Sequence, residues 1–146
     1  MPQTVVVEQT YNVSAETLWE NILDFGALEA SMADQAVYEG LPDHPPEIGD
    51  VYDIRFRRHG LFQPTLNWRI EIVGRDDQRF HLQSAERGGV IKRWDHTLSV
   101  TPIVENQCLY RDNVIVDAGV LTPIIARMCR SNYVKRHAAR KALLNA

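Results

Sequence analysis

The sequence has little of several features that define functional classes. Its 146 residues include only two cysteines, Cys108 and Cys129. They have neither the spacing of metal ligands nor the number expected of a secreted disulfide scaffold. No apolar run approaches the roughly 18 residues that span a bilayer. The first residues, MPQTVVVEQ, lack the basic start and apolar run of a signal peptide. These absences predict a cytoplasmic protein with no transmembrane segment.

Common catalytic and binding motifs are also missing. There is no glycine-rich phosphate loop and no serine nucleophile elbow. His44, His59 and His137 stand alone, without the spacing of metal ligands. The net charge of −3 gives no general attraction to nucleic acid, and no strand face interleaves basic and aromatic residues. We therefore expect no metal, no cofactor and no nucleic-acid partner.

Acidic residues are absent from the C-terminal segment. Residues 118–146 contain no Asp or Glu, and their basic residues are Arg127, Arg130, Lys135, Arg136, Arg140 and Lys141. Since the whole chain carries −3 and this segment +6, residues 1–117 carry −9. The segment could bind an anionic partner or a membrane surface. Alternatively, its charges complement a helix dipole and pair with the acidic remainder.

What is present indicates one domain, residues 1–146, of ordinary globular composition, with 45% hydrophobic and 24% charged residues. The β-branched run 4–10 predicts a strand. Ser14 is a good N-cap for a following amphipathic helix, which Gly26 ends. A second short helix over 28–33 and a strand over 37–41 follow.

Five longer strands are predicted after the Pro/Gly/Asp loop at 40–50, over residues 51–58, 65–73, 79–86, 90–101 and 108–117. In each strand, apolar residues alternate with polar ones. This alternation is typical of antiparallel strands with one solvated face.

The hairpin loops predict how the inward faces align. A three-residue loop at 87–89 places Leu82 opposite Trp94, and both side chains then point inward. A tight turn in the next hairpin places His96 opposite Asp112. A shift of one residue would send either set to the other face.

A long final helix begins near Thr122 and Pro123, which suit its N-cap and first turn. About 23 residues would span roughly 35 Å. Its predicted apolar stripe contains Leu121, Ile124, Ile125, Met128, Ala139 and Leu143, with Asn132 inside the stripe. We therefore predict an α+β fold, in which a curved seven-stranded antiparallel sheet wraps the C-terminal helix and leaves a cavity.

Three stretches resemble the START-like helix-grip superfamily (SRPBCC), including its polyketide cyclase/dehydrase and lipid-transport branch. They are VSAETLWENILDF near the start, WDHTLSVTP, and the closing YRDNVIVDAGVLTPIIARMCRSNYVKRHAARKALL. The resemblance covers essentially the whole chain. It implies a helix-grip fold that holds a lipid, sterol, polyketide, plant hormone or ubiquinone-like molecule. Some members of the superfamily catalyse cyclisation.

The leading hypothesis is therefore a carrier or sensor of a hydrophobic small molecule. The residues predicted to bind it are Phe56, Trp68, Phe80, Leu82, Trp94, Tyr110, Ile125, Met128 and Asn132. An alternative is a cyclase, aromatase or dehydrase in which His96 and Asp112 act as acid/base partners. Glu86 shares their inward face near a strand end, where it could reach the cavity mouth.

A third hypothesis is an interaction module that docks through the basic face of the last helix. The same contacts suit a structural role equally well, since an imidazole–carboxylate pair and an aromatic core occur in many folds. The sequence pattern does not define an oligomeric state.

Overall fold

The computed structural model describes residues 1–146, which form seven strands and three α-helices. In chain order these are β1 (Gln3–Tyr11), α1 (Ala15–Ile22), α2 (Phe25–Met32), β2 (Ala36–Glu39), β3 (Val51–Arg58), β4 (Thr65–Asp76), β5 (His81–Gly88), β6 (Ile91–Val104), β7 (Gln107–Asp117) and α3 (Thr122–Leu144). The predicted order of elements is confirmed. No helix is long and apolar enough to cross a membrane.

All seven strands form one antiparallel sheet in the order β1-β7-β6-β5-β4-β3-β2. The first strand lies beside the last at one edge of the sheet, and β2, which follows the two short helices, forms the opposite edge. Residues alternate between buried and exposed along β6 and β7, because one face of the sheet meets the helices and the other meets solvent. The predicted α+β helix-grip architecture is confirmed.

The two short helices begin at side-chain caps. Ser14 Oγ accepts a hydrogen bond from the Thr17 amide at 3.1 Å, as its position in the sequence predicted. Asp24 Oδ1 accepts from the Gly26 amide at 2.8 Å, so α2 begins at Phe25, three residues before the predicted start. Gly26 therefore lies in the first turn of α2 and does not end α1.

Both predicted hairpin registers need correction. Leu82 pairs with Leu98, and His96 pairs with Ser84 on one side and Val114 on the other. The first hairpin turns at residues 89–90, with a bulge between Glu86 and Gly88. A bulge adds an unpaired residue, which a loop-length argument does not include. Both errors are an even number of residues, so the residues within the strands keep their predicted faces; Phe80, which precedes β5, is the exception.

The length of α3 matches the prediction of 23 residues, but its predicted inward stripe is only partly correct: Met128 and Asn132 line the cavity described below. Ile124 and Leu143 are exposed, at 66% and 60%. The buried side of the helix is formed instead by Thr122, Ala126, Cys129, Tyr133, His137 and Arg140. Four of these, Thr122, Tyr133, His137 and Arg140, have polar atoms that find partners inside the protein, so hydropathy alone did not identify the buried face.

Two apolar clusters hold the helices against the sheet. One lies under the first half of α3 and includes Val114 and Val116, both fully buried. The other lies under α1 and includes Tyr11, Leu18 and Cys108, also fully buried. Close-packed interiors resist deformation, so these clusters fix the positions of α1 and α3 relative to the sheet between them.

Candidate functional site

A cavity of about 180 Å³ lies between the inner face of the sheet, α2 and α3. Hydrophobic residues make up 17 of the 25 that line it. A mostly apolar hollow with a few polar groups is the usual make-up of a small-molecule site. The long helix therefore does not fill the curved sheet.

Most of the residues predicted to bind a ligand lie on the cavity wall: Phe56, Trp68, Leu82, Trp94, Tyr110, Met128 and Asn132, together with His96. Their inward direction follows from the strand alternation that the sequence showed. Whether they contact a ligand stays a prediction.

Phe80 and Ile125 lie elsewhere, which corrects their predicted place. Phe80 precedes β5 with a φ of 55°, outside the strand conformation. Its ring packs on Trp19 with 5.8 Å between ring centroids, so it belongs to the cluster under α1. Ile125 packs against the cluster under α3 because that helix is rotated from its predicted orientation.

The aromatic part of the wall is held in a fixed geometry. The rings of Trp68 and Trp94 meet edge to face at 5.7 Å, an arrangement that aromatic quadrupoles favour. Trp94 Nε1 donates to the Tyr133 hydroxyl at 3.2 Å. Tyr133 also stacks on the imidazole of His96 at 5.2 Å. These contacts fix the orientation of the aromatic rings at the cavity wall.

His96 contacts Asp112, as predicted, although the two residues are not directly opposite. Their Nε2 and Oδ1 atoms lie 2.6 Å apart, and the contact is diagonal because Asp112 faces Leu98 across the strands. The Asp112 side chain is only 1% exposed and does not line the cavity. His96 therefore reaches the cavity while Asp112 lies behind it.

Asp112 binds a second imidazole that the sequence analysis treated as isolated. Its Oδ2 lies 2.7 Å from His137 Nε2, and the Tyr11 hydroxyl lies 2.6 Å from His137 Nδ1. We call Tyr11, His137, Asp112 and His96 the buried polar chain. His137 lies one turn after Tyr133 on the buried side of α3, so only the correct helix orientation would have revealed it.

Hydrogen bonding determines the protonation of this chain. Burial would raise the pKa of the Asp112 carboxyl, but the hydrogen bonds from His137 and His96 outweigh it and hold the pKa below its usual value. Burial raises the pKa of Tyr11, so its hydroxyl keeps its proton and can donate it to His137 Nδ1. Each imidazole then donates its Nε2–H to Asp112. The free nitrogen of His96 is Nδ1.

Glu86 lies on the cavity wall on the other side of His96, where its place on the inward face had suggested. Its Oε1 accepts from Trp68 Nε1 at 2.8 Å and its Oε2 from Ser84 Oγ at 2.6 Å. His96 Nδ1 lies 3.8 Å from Oε2. One imidazole thus stands between two carboxylates, of which only Glu86 faces the cavity.

Three guanidinium groups also line the cavity, from Arg58, Arg136 and Arg140. The sequence analysis considered Arg136 and Arg140 only as part of a basic outer face. Two of the six basic residues that were predicted to attract an anionic partner or a membrane surface to α3 therefore line the cavity instead of the outer face. Asn132, predicted to bind a ligand oxygen, instead accepts a hydrogen bond from Arg58 at 3.3 Å.

Together these groups can bind an apolar molecule, orient it through a few polar contacts, and move a proton at His96 Nδ1. No group of three or more His, Cys, Asp or Glu side chains is arranged to hold a metal ion.

Solved structures of other proteins share this fold. A START superfamily protein from Mycobacterium smegmatis has a TM-score of 0.75 at 13% identity, covering 97% of this chain and 97% of that one. Norcoclaurine synthase from Thalictrum flavum, in complex with dopamine and hydroxybenzaldehyde, has a TM-score of 0.72 at 14% identity, covering 99% and 88%. An aromatase/cyclase from a Streptomyces species has 0.69 at 15% identity, covering 96% and 92%.

No protein-family model matches the sequence, and no curated protein matches it. At identities of 13–15% the shared feature is the fold. The chain has the START-like helix-grip fold, and the resemblance seen in its sequence is confirmed at that level.

Proposed function

We propose that the chain binds a hydrophobic small molecule in the cavity between the sheet and α3. The observation that carries this proposal is the mostly apolar hollow of about 180 Å³ with its aromatic wall. An apolar cavity of about 150 Å³ is large enough to bind benzene. The expected ligand is therefore a molecule of one or two rings, or an aliphatic chain of similar volume.

The comparisons support the same proposal. Norcoclaurine synthase was solved with two aromatic compounds, dopamine and hydroxybenzaldehyde, and another protein of the same fold is an aromatase/cyclase. The rings of Trp68 and Trp94 would supply broad apolar contact to such a compound, and each ring buried in this way contributes through the hydrophobic effect.

Native mass spectrometry of protein purified from cells tests for a bound molecule, and Met128→Trp tests its place. Met128 lines the cavity, so an indole there would occupy the ligand's volume. Val134→Trp is the matched control, because Val134 is 53% exposed on the same helix. We expect loss of the bound mass only in Met128→Trp. A ligand that survives this substitution, or the absence of any apolar ligand, contradicts the proposal.

A second function, acid/base catalysis, is favoured by the contact between His96 and Asp112 at the cavity wall. His96 Nδ1 would take a proton from the carbon beside a bound carbonyl, and ionised Asp112 would stabilise the resulting imidazolium. The proton would return from the same nitrogen to the substrate, so the protein is unchanged at the end. Asp112 acts through His96 and is a positioning residue.

Hydrogen exchange into a bicyclic ketone tests this second function. In D₂O, the wild-type protein should accelerate deuterium incorporation at the carbons beside the carbonyl of 2-tetralone, followed by NMR. His96→Gln should remove the acceleration while leaving ketone binding intact. A wild-type rate equal to that of buffer, although the ketone is bound, contradicts the catalytic proposal and leaves the binding proposal in place.

A further inference from the structure

The three cavity arginines lack anionic partners. No carboxylate oxygen lies within 4.0 Å of Arg58, Arg136 or Arg140, although six arginine–carboxylate pairs occur elsewhere in the chain. Arg140 is only 4% exposed, and its Nε is buried without a hydrogen-bond partner. Arginine is rarely buried unless it is paired.

The contacts that these arginines do make are neutral. Arg136 Nε lies 3.3 Å from the sulfur of Met32, and its guanidinium lies 4.3 Å above the ring of Tyr133. Arg140 donates through Nη1 to the side-chain oxygen of Asn21. Neither a thioether nor an amide carries a negative charge, so Arg136 and Arg140 form no ion pair at this part of the wall.

The two acidic side chains of this region are already engaged. Both oxygens of Asp112 bind imidazoles. Both oxygens of Glu86 accept from neutral donors, Trp68 and Ser84. Neither of these carboxylates therefore forms an ion pair with a cavity arginine.

We propose that the ligand is an apolar carboxylate whose carboxylate group is bound by Arg136 and Arg140. This proposal rests on the proposed binding function and specifies its ligand class. A guanidinium presents a planar set of N–H donors that matches a carboxylate with two parallel hydrogen bonds.

The spacing along α3 gives the ligand an orientation. Tyr133, which meets the aromatic wall through Trp94, lies seven residues before Arg140, or about 10 Å along the helix axis. Arg136 lies between them. The apolar body would rest against Trp68 and Trp94, and its carboxylate would point toward the C-terminal half of α3.

Matched acid and amide probes test the proposal by titration calorimetry. The pairs are 2-naphthoate with 2-naphthamide, and octanoate with octanamide, which share an apolar body and differ in charge. We expect at least one acid to bind about tenfold more tightly than its amide, because hydrogen bonds to a charged group are the stronger kind.

Substitution of Arg136 or Arg140 by Met keeps an unbranched stem and removes the charge. Each variant should lower acid binding by about tenfold and leave amide binding within about threefold. Arg136→Lys should keep part of the preference for the acid. Arg127→Met is the control, since it removes the same charge from the exposed side of the same helix. Circular dichroism checks that each variant is folded.

The outcomes separate the two proposals. If acid and amide bind equally and the arginine variants change neither, the carboxylate proposal is wrong and the apolar site stands. If the amides bind more tightly than the acids, the carboxylate proposal is also wrong. If no member of either pair binds the wild-type protein, the proposed binding function fails, and the ligand class fails with it.

Discussion

Two sets of polar side chains meet at neighbouring positions of α3, His137 in one set and Arg136 and Arg140 in the other, and their partners differ. In the buried polar chain, His137 and His96 share the two oxygens of Asp112, and Tyr11 completes the set. One turn away or less, Arg136 and Arg140 have no carboxylate partner. We call the first set closed, because each of its members has a hydrogen-bond partner within the set, and the second set open, because its two arginines line the cavity without an ionic partner.

The two sets are expected to differ in what they contribute: the first to the stability of the fold, and the second to ligand binding. A buried charge that is fully hydrogen-bonded contributes to a unique packing, and removing one member leaves the others unpaired. A buried charge without a partner lowers the stability of the free protein and gains its compensation from a ligand. Through His137 and the closed set, α3 is held in position against the sheet. Through Arg136 and Arg140, the same helix provides the proposed binding site.

The largest expected effect comes from breaking the closed set at its centre. Asp112→Ala should lower the free energy of unfolding by about 3–5 kcal/mol, because it leaves two buried imidazoles without an acceptor. Asp53→Ala is the control: its carboxylate, 76% exposed, lies 3.8 Å from Arg69, and its loss should change stability by less than about 1 kcal/mol. Urea denaturation measures both. Equal losses in the two variants would remove the basis for the comparison.

The dependence of the unfolding free energy on pH in the acid range also tests the contribution of Asp112. The Asp112 carboxyl has a folded-state pKa below its usual value, and an unfolded Asp titrates near 3.9. Its contribution is therefore complete above about pH 4 and is lost as the pH falls toward the folded-state pKa, since the unfolded chain takes up the proton first.

Asp112→Asn should accordingly reduce the slope of unfolding free energy against pH below about pH 4. Some slope should remain, because hydrogen bonds from Tyr52 and Arg75 also lower the pKa values of Asp50 and Asp77. A variant with the full wild-type slope would show that Asp112 is not the main acid-sensitive group.

The sequence predicted the fold well because strand alternation and element order are local signals. The inward faces of β4 to β7 were correct even though two registers were wrong, since an even shift leaves each side chain on its face. The contact of His96 with Asp112 survived for this reason: a diagonal neighbour replaces a direct one and remains within reach.

The orientation of α3 could not be predicted in the same way. Hydropathy favours Ile124 and Leu143 for the interior, but the buried positions include His137 and Arg140. Their burial depends on partners from β7, β1 and α1, which lie more than 20 residues away in the sequence. Such long-range pairing is absent from a local pattern, so the cavity arginines were missed along with His137.

A smaller effect is expected at the end of the buried polar chain. Tyr11→Phe keeps the ring and removes the hydroxyl that binds His137 Nδ1, so it should lower the free energy of unfolding by about 1–2 kcal/mol. Tyr52→Phe is the control, because its hydroxyl binds the exposed Asp50 and water can replace it. Thermal and urea denaturation compare the two. A larger loss in Tyr52→Phe would contradict the assignment of the closed set to the interior.

The smallest effect on stability should come from the open set. Arg136→Met removes a partly buried cation whose contacts are a sulfur and a ring face. Replacing a charge that lacks an ionic partner with an apolar group of similar length is often neutral or stabilising. We expect the free energy of unfolding of the ligand-free protein to stay the same or rise by up to about 1 kcal/mol. Urea denaturation, with Arg127→Met as the control on the outer face, measures this change. A loss as large as that of Tyr11→Phe would mean that Arg136 contributes to the packing of the interior. Arg140 alone would then remain as a cavity arginine that does not stabilise the fold.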